Sequence, residues 1–142
     1  MTYRCLIFVF RKEDTSPTQF RDSWEAHVRM LFGLTKPLTP LECTRHYPAR
    51  ASSDIAQRAP APVSKYDATA PLVLLGNPED VPWDGMAEFT FRDELHFQQF
   101  YALLDGTEVG ERIADNEAEF SEPSKMRLVV IGETAVTKNG GD

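Results

Sequence analysis

The chain opens on Tyr3-Arg4-Cys5-Leu6-Ile7-Phe8-Val9-Phe10, a run that is apolar at both alternating sets of positions. Such a run predicts a strand covered on both faces. The period then changes: Phe20, Trp24, His27 and Leu31 recur at i, i+4, i+7 and i+11, which places them on one stripe of a helix. Its start is marked by Ser16 as N-cap, Pro17 at the first helical position and Gln19 completing a capping box. Gly33 and Pro37 are expected to end it. A second strand is predicted over residues 41–47, with Leu41, Cys43, Arg45 and Tyr47 on one face and Glu42, Thr44 and His46 on the other.

A third strand is predicted over residues 86–91, alternating Met86, Glu88 and Thr90 against Ala87, Phe89 and Phe91. Asp93 caps a helix whose apolar side is Phe97, Phe100, Tyr101 and Leu104. Thr107 caps another, with an inner stripe of Val109, Ile113 and Phe120, and a last strand is predicted over 126–131. Residues 48–82 hold six prolines (Pro48, Pro60, Pro62, Pro71, Pro78 and Pro82) and read as a long insertion. Within it, Leu72-Val73-Leu74-Leu75 is apolar enough to be expected over a pocket or a subunit interface. Residues 134–142 read as a flexible tail.

The element order predicts one α+β domain over 1–142: a ferredoxin-like βαββααβ antiparallel sheet with helices on one face. The uncovered sheet face is too apolar to meet water, so pairing of two copies through it, as a dimeric α+β barrel, is the expected assembly.

Composition narrows the partners. A net charge of −7 and a pI near 5.0 argue against nucleic acid, whose binders usually carry a basic stripe. The acids cluster at Asp105, Glu108, Glu111, Asp115, Glu117, Glu119 and Glu122, read as a solvated helix face. Arg4 and the charged run from Arg11 to Asp14 argue against a signal peptide, and no apolar run approaches the roughly 20 residues that span a bilayer. A cytoplasmic protein without membrane contact is expected. Cys5 and Cys43 lack any CxxC spacing and are read as reduced, small apolar residues.

Three histidines carry the candidate chemistry: His27, His46 and His96. None lies at metal-ligand spacing, so no metal is expected. His27 stands out, because an ionisable ring in mid-stripe between Trp24 and Leu31 is costly unless a pocket or partner meets it. Imidazole is also the natural proton donor or acceptor near neutral pH. Trp24, Arg45, Tyr47, Glu88, Phe89, Phe100 and Tyr101 are the candidate substrate-binding residues, an aromatic set able to line a slot for a flat ring. Glu88 is the candidate buried carboxylate, able to orient a histidine or to pair with an arginine. P-loop, GxGxxG and GxSxG motifs are all absent, which leaves nucleotide and serine-hydrolase chemistry without support.

Four segments in order resemble the EthD-like family of dimeric α+β-barrel proteins: Trp24-Glu25-Ala26-His27-Val28, Thr44-Arg45-His46-Tyr47, Asp84-Gly85-Met86-Ala87-Glu88-Phe89, and Phe120 before the last strand. The insertion, the Arg-His-Tyr strand and the ending Val129-Val130-Ile131-Gly132-Glu133-Thr134 are similar to one branch, the small decarboxylases of fungal aromatic-polyketide (atrochrysone/emodin-type) biosynthesis. The resemblance implies a cofactor-free lyase that removes carbon dioxide from an aromatic polyketide carboxylic acid by histidine acid/base chemistry. A dehydratase or aldol-type cyclase on a polyketide intermediate, or a non-catalytic dimeric binding protein, would use the same residues. Pro48 should end the second strand before Arg50.

Overall fold

In the computed structural model, which describes residues 2–53 and 68–140, the chain forms β1 (Tyr3–Val9), α1 (Pro17–Leu34), β2 (Glu42–His46), β3 (Gly85–Phe91), α2 (Glu94–Leu104), α3 (Glu108–Glu117) and β4 (Arg127–Val130). The strands make one antiparallel sheet in the order β2-β3-β1-β4. This is the α+β, ferredoxin-like arrangement that the element order predicts.

Local chemistry sets the helix starts. Ser16 and Gln19 close a reciprocal capping box, Gln19 N–H to Ser16 Oγ at 3.1 Å and Ser16 N–H to Gln19 Oε1 at 3.0 Å. The Asp93 and Thr107 side chains accept from the His96 and Gly110 amides, satisfying donors that have no partner in the first turn. α1 does not stop at Gly33: it runs on to Leu34, and Thr35 caps it with its own N–H on the Leu31 carbonyl.

Register decides which side chains face the helices. Cys5 lies across from Phe89, and Phe89 from Cys43, so these share the covered face with Ile7, Val9, Ala87, Phe91 and Arg45. The core sits there, between the sheet and Phe20, Trp24, Val28, Leu31, Phe100, Ile113 and Phe120. The close approach of α1 to the sheet requires a glycine. A Cβ at Gly85 would lie 2.3 Å from the Trp24 ring, which packs flat over that position. The opposite face presents Arg4, Leu6, Phe8, Thr44, His46, Met86 and Glu88.

The edge strand β2 is clipped to α1 by charge. Arg45 Nε and Nη2 donate to the two Glu25 oxygens at 2.6 and 2.9 Å, and the Tyr47 hydroxyl donates to Glu25 at 2.5 Å. The Arg45 guanidinium, seconded by the Tyr47 hydroxyl, holds the Glu25 carboxyl down at about 2, from an ordinary 4.5. A carboxyl whose pKa is depressed on folding stabilises the fold above its unfolded value. That contribution is lost as pH falls from 4.5 towards 2. Melting temperatures measured from pH 5 to pH 2 are therefore expected to fall less steeply in Glu25→Gln than in the wild type.

In the insertion, Leu72 and Val73 are half-buried while Leu74 and Leu75 are 59% and 94% exposed, so among the described residues this run lines no cavity, and the two exposed leucines are open to a subunit interface. β2 ends at His46, before Pro48 as expected, and Arg50 lies beyond it. It bridges to Pro71, and its guanidinium shares the buried Asp84 carboxylate with Arg11, at 3.0 and 3.1 Å, tying the base of the insertion to the end of β1. Residues 54–67 of the insertion lie outside the described residues, as do 141–142 of the tail. Residues 131–140 carry no helix or strand. No helix among the described residues is long and apolar enough to cross a membrane.

Candidate active site

A cavity of about 380 Å³ opens between the covered face of the sheet and the helices. Cys5, Ile7, Phe89 and Phe91 make its floor, and Trp24, His27, Val28 and Leu31 of α1 make one wall. Phe97, Phe100, Tyr101 and Leu104 of α2 face them, and Tyr101, half exposed, stands at the mouth. Burial pushes the Cys5 thiol up to about 11, so it belongs to the apolar floor as a neutral group rather than as a nucleophile.

One titratable ring interrupts the apolar wall of α1. His27 is 3% exposed, and the C-terminal turn of α3 grips it from two sides. Its Nδ1 is 2.8 Å from Asn116 Oδ1, and its Nε2 is 3.5 Å from Glu117 Oε2. The Asn116 amide is oriented in turn, since its Nδ2 donates to Glu119 at 3.2 Å. With the amide oxygen turned to the ring, Nδ1 is the protonated nitrogen and donates to it. Nε2 is then left to take up or release a proton. Phe120 packs edge-on against the imidazole with ring centroids 5.4 Å apart, fixing its plane.

The model of the EthD domain matches residues 12–124, most of the chain and all but the first and last strands. The chain belongs to the EthD family. No curated protein sequence gives a match. Among solved structures, this EthD domain is similar to a protein of Arabidopsis thaliana at 12% identity, covering 96% of this chain and 99% of that one, with a TM-score of 0.53. It is also similar to a dimeric ferredoxin-like protein of unknown function from Jannaschia sp. CCS1, at 10% identity and a TM-score of 0.51, with coverages of 94% and 100%. At such identities the likeness is one of fold.

The EthD domain gathers some of the residues singled out in the sequence and scatters others. His27, Trp24, Phe89, Phe100 and Tyr101 line the cavity. His46 does not: it is exposed on the edge strand β2 and points to the opposite face of the sheet. His96 is 1% exposed and lies outside the cavity, and both its ring nitrogens are engaged. Nδ1 accepts from the Arg92 amide at 3.0 Å and Nε2 donates to the Leu38 carbonyl at 2.9 Å, so His96 joins α2 to the loop after α1. The three histidines do not converge. Among the described residues, no group of three His, Cys, Asp or Glu side chains is placed to hold a metal ion.

Arg45 and Tyr47 lie outside the cavity because Glu25 holds both. Glu88 lies on the open sheet face between Leu6 and Thr44, so it neither orients His27 nor makes an ion pair among the described residues. Asn116 and Glu117 were missed as site residues, since the acidic run reads as solvated. A signal was present. Ile113 and Phe120 are the ends of an i, i+7 stripe, and its middle position falls at 116–117.

Proposed function

We propose that this EthD domain is a cofactor-free decarboxylase of an aromatic polyketide carboxylic acid, as in fungal secondary metabolism. The observation that carries the reading is His27, a single imidazole set in an aromatic slot with Nδ1 tied to Asn116 and Nε2 facing Glu117 at 3.5 Å. Such a slot suits a flat multi-ring substrate. In a β-keto acid, the bond between the α-carbon and the carboxyl carbon breaks, carbon dioxide leaves, and the electron pair passes into the ketone as an enolate. A protonated imidazole beside that oxygen stabilises the developing charge and then delivers its proton to the α-carbon. Apolar walls favour loss of the carboxylate charge.

Incubation with aromatic β-keto acids followed by mass spectrometry tests the reading. A loss of about 44 Da is expected; a loss of about 18 Da would replace it with a dehydratase or cyclase, and an unchanged ligand with a binding protein.

The working unit in this reading is a homodimer. Leu6, Phe8 and Met86 are half-buried on the open sheet face and Val129 beside them is 49% exposed; among the described residues only Trp83, against Phe8, is seen to pack on this apolar patch. Light scattering is expected to give about twice the 16.0 kDa chain mass. A monomer at micromolar concentration would remove the paired-barrel assembly.

A further inference from the structure

Each turnover of a β-keto acid to a ketone and carbon dioxide consumes one proton, which His27 must regain before it can act again. His27 itself is sealed, with 3% of its side chain exposed, and during turnover the product fills the cavity beside it. Its Nδ1 is committed to Asn116, so the proton has to return through Nε2. The group facing Nε2 is Glu117, 3.5 Å away, and 20% of its side chain reaches water. Adjacent residues of a helix point about 100° apart, which is why Asn116 and Glu117 take opposite sides of one ring.

We infer that Glu117 is a second catalytic residue, the route by which a proton passes from solvent to His27 Nε2, and that Asn116 is a positioning residue that keeps His27 in the Nδ1–H form. This deepens the proposed function and rests on it. As the α-carbon takes the Nε2 proton, a proton from a solvent acid (hydronium or buffer) passes by way of the Glu117 carboxylate to the vacated nitrogen, which restores the imidazolium and leaves Glu117 as it began. No other reactant is needed. Within the acidic run from Asp105 to Glu122, Glu117 is turned to the imidazole and exposed Glu119 orients Asn116, while Glu108, Glu111 and Asp115 are exposed.

The test is Glu117→Gln, which keeps the size and the hydrogen-bonding amide but cannot carry a proton. Turnover is expected to fall at least about 10-fold with KM changed less than about 3-fold. Added formate or acetate should restore part of the lost rate in this variant and leave the wild type unaffected, a rescue that a purely structural glutamate would not permit. Wild-type turnover in Glu117→Gln, or loss of turnover without rescue, overturns the assignment. For Asn116→Leu, nitrogen NMR of the His27 ring is expected to show loss of the pure Nδ1–H form; an unchanged tautomer overturns the positioning role.

A second assay separates this inference from the reaction proposed above. Deuterium uptake at the α-carbon of an aryl methyl ketone in heavy water requires proton transfer but no loss of carbon dioxide. Exchange that depends on Glu117 in a protein that releases no carbon dioxide would sink the decarboxylase and keep the proton route. Release of carbon dioxide indifferent to Glu117 would do the reverse, and absence of both would remove both.

Discussion

Replacing His27 by alanine is expected to lower turnover at least about 100-fold, the low end for removal of a general acid–base residue. The ring is the only imidazole in the cavity wall, and its Nε2 is the only histidine nitrogen there left to exchange a proton. His27→Gln should be nearly as inactive, because an amide can hydrogen-bond but cannot shuttle a proton at neutral pH. Both variants should still fold, since the lost ring borders a cavity rather than filling a closed core site. Circular dichroism and melting curves beside the turnover assay distinguish the outcomes. An unfolded His27→Ala would make the ring a structural strut to Asn116. Near-normal turnover would remove the acid–base role altogether. His96→Ala is the contrasting control: its ring holds two backbone groups, so its loss is expected to show in stability.

The largest effect on stability is expected at Gly110. A Cβ there would lie 2.1 Å from the Leu104 carbonyl oxygen, a backbone atom that no rotamer change can move aside. Gly110→Ala must therefore push α3 away from the end of α2, at a cost on the order of 3 kcal/mol, towards the upper range for overpacking. For a domain of this size that lowers Tm by roughly 10 °C. Because α3 also carries Asn116 and Glu117 to the imidazole, catalytic turnover should fall together with stability. A variant with unchanged Tm would show that α2 and α3 separate freely at this point. Gly33→Ala, where a Cβ meets nothing within 4 Å, is expected to raise stability slightly, as glycine gives way to a better helix former.

The sequence alone determined what depends on neighbours along the chain. The capping box at Ser16, the caps at Asp93 and Thr107, and the period-2 and 3.6-residue patterns are local, and the predicted elements formed within a residue or two of their expected ends, except that α3 stops at Glu117, three residues short of Phe120. The same locality put His27 on the inner stripe of α1, because helical period alone orients that side chain. The tertiary structure decided what depends on distant partners. His27 meets Asn116 across 89 positions of sequence, and His96 meets the Leu38 carbonyl across 58, so only the packed fold shows that His27 Nε2 faces a carboxylate at 3.5 Å while both His96 nitrogens are held by backbone groups. Arg45 and Tyr47 could equally have faced a ligand, until Glu25 claimed both. Glu117 reads in sequence as one acid among seven; the approach of α3 to α1 alone turns it to the imidazole, because which face of a polar helix is buried is set by what packs against it.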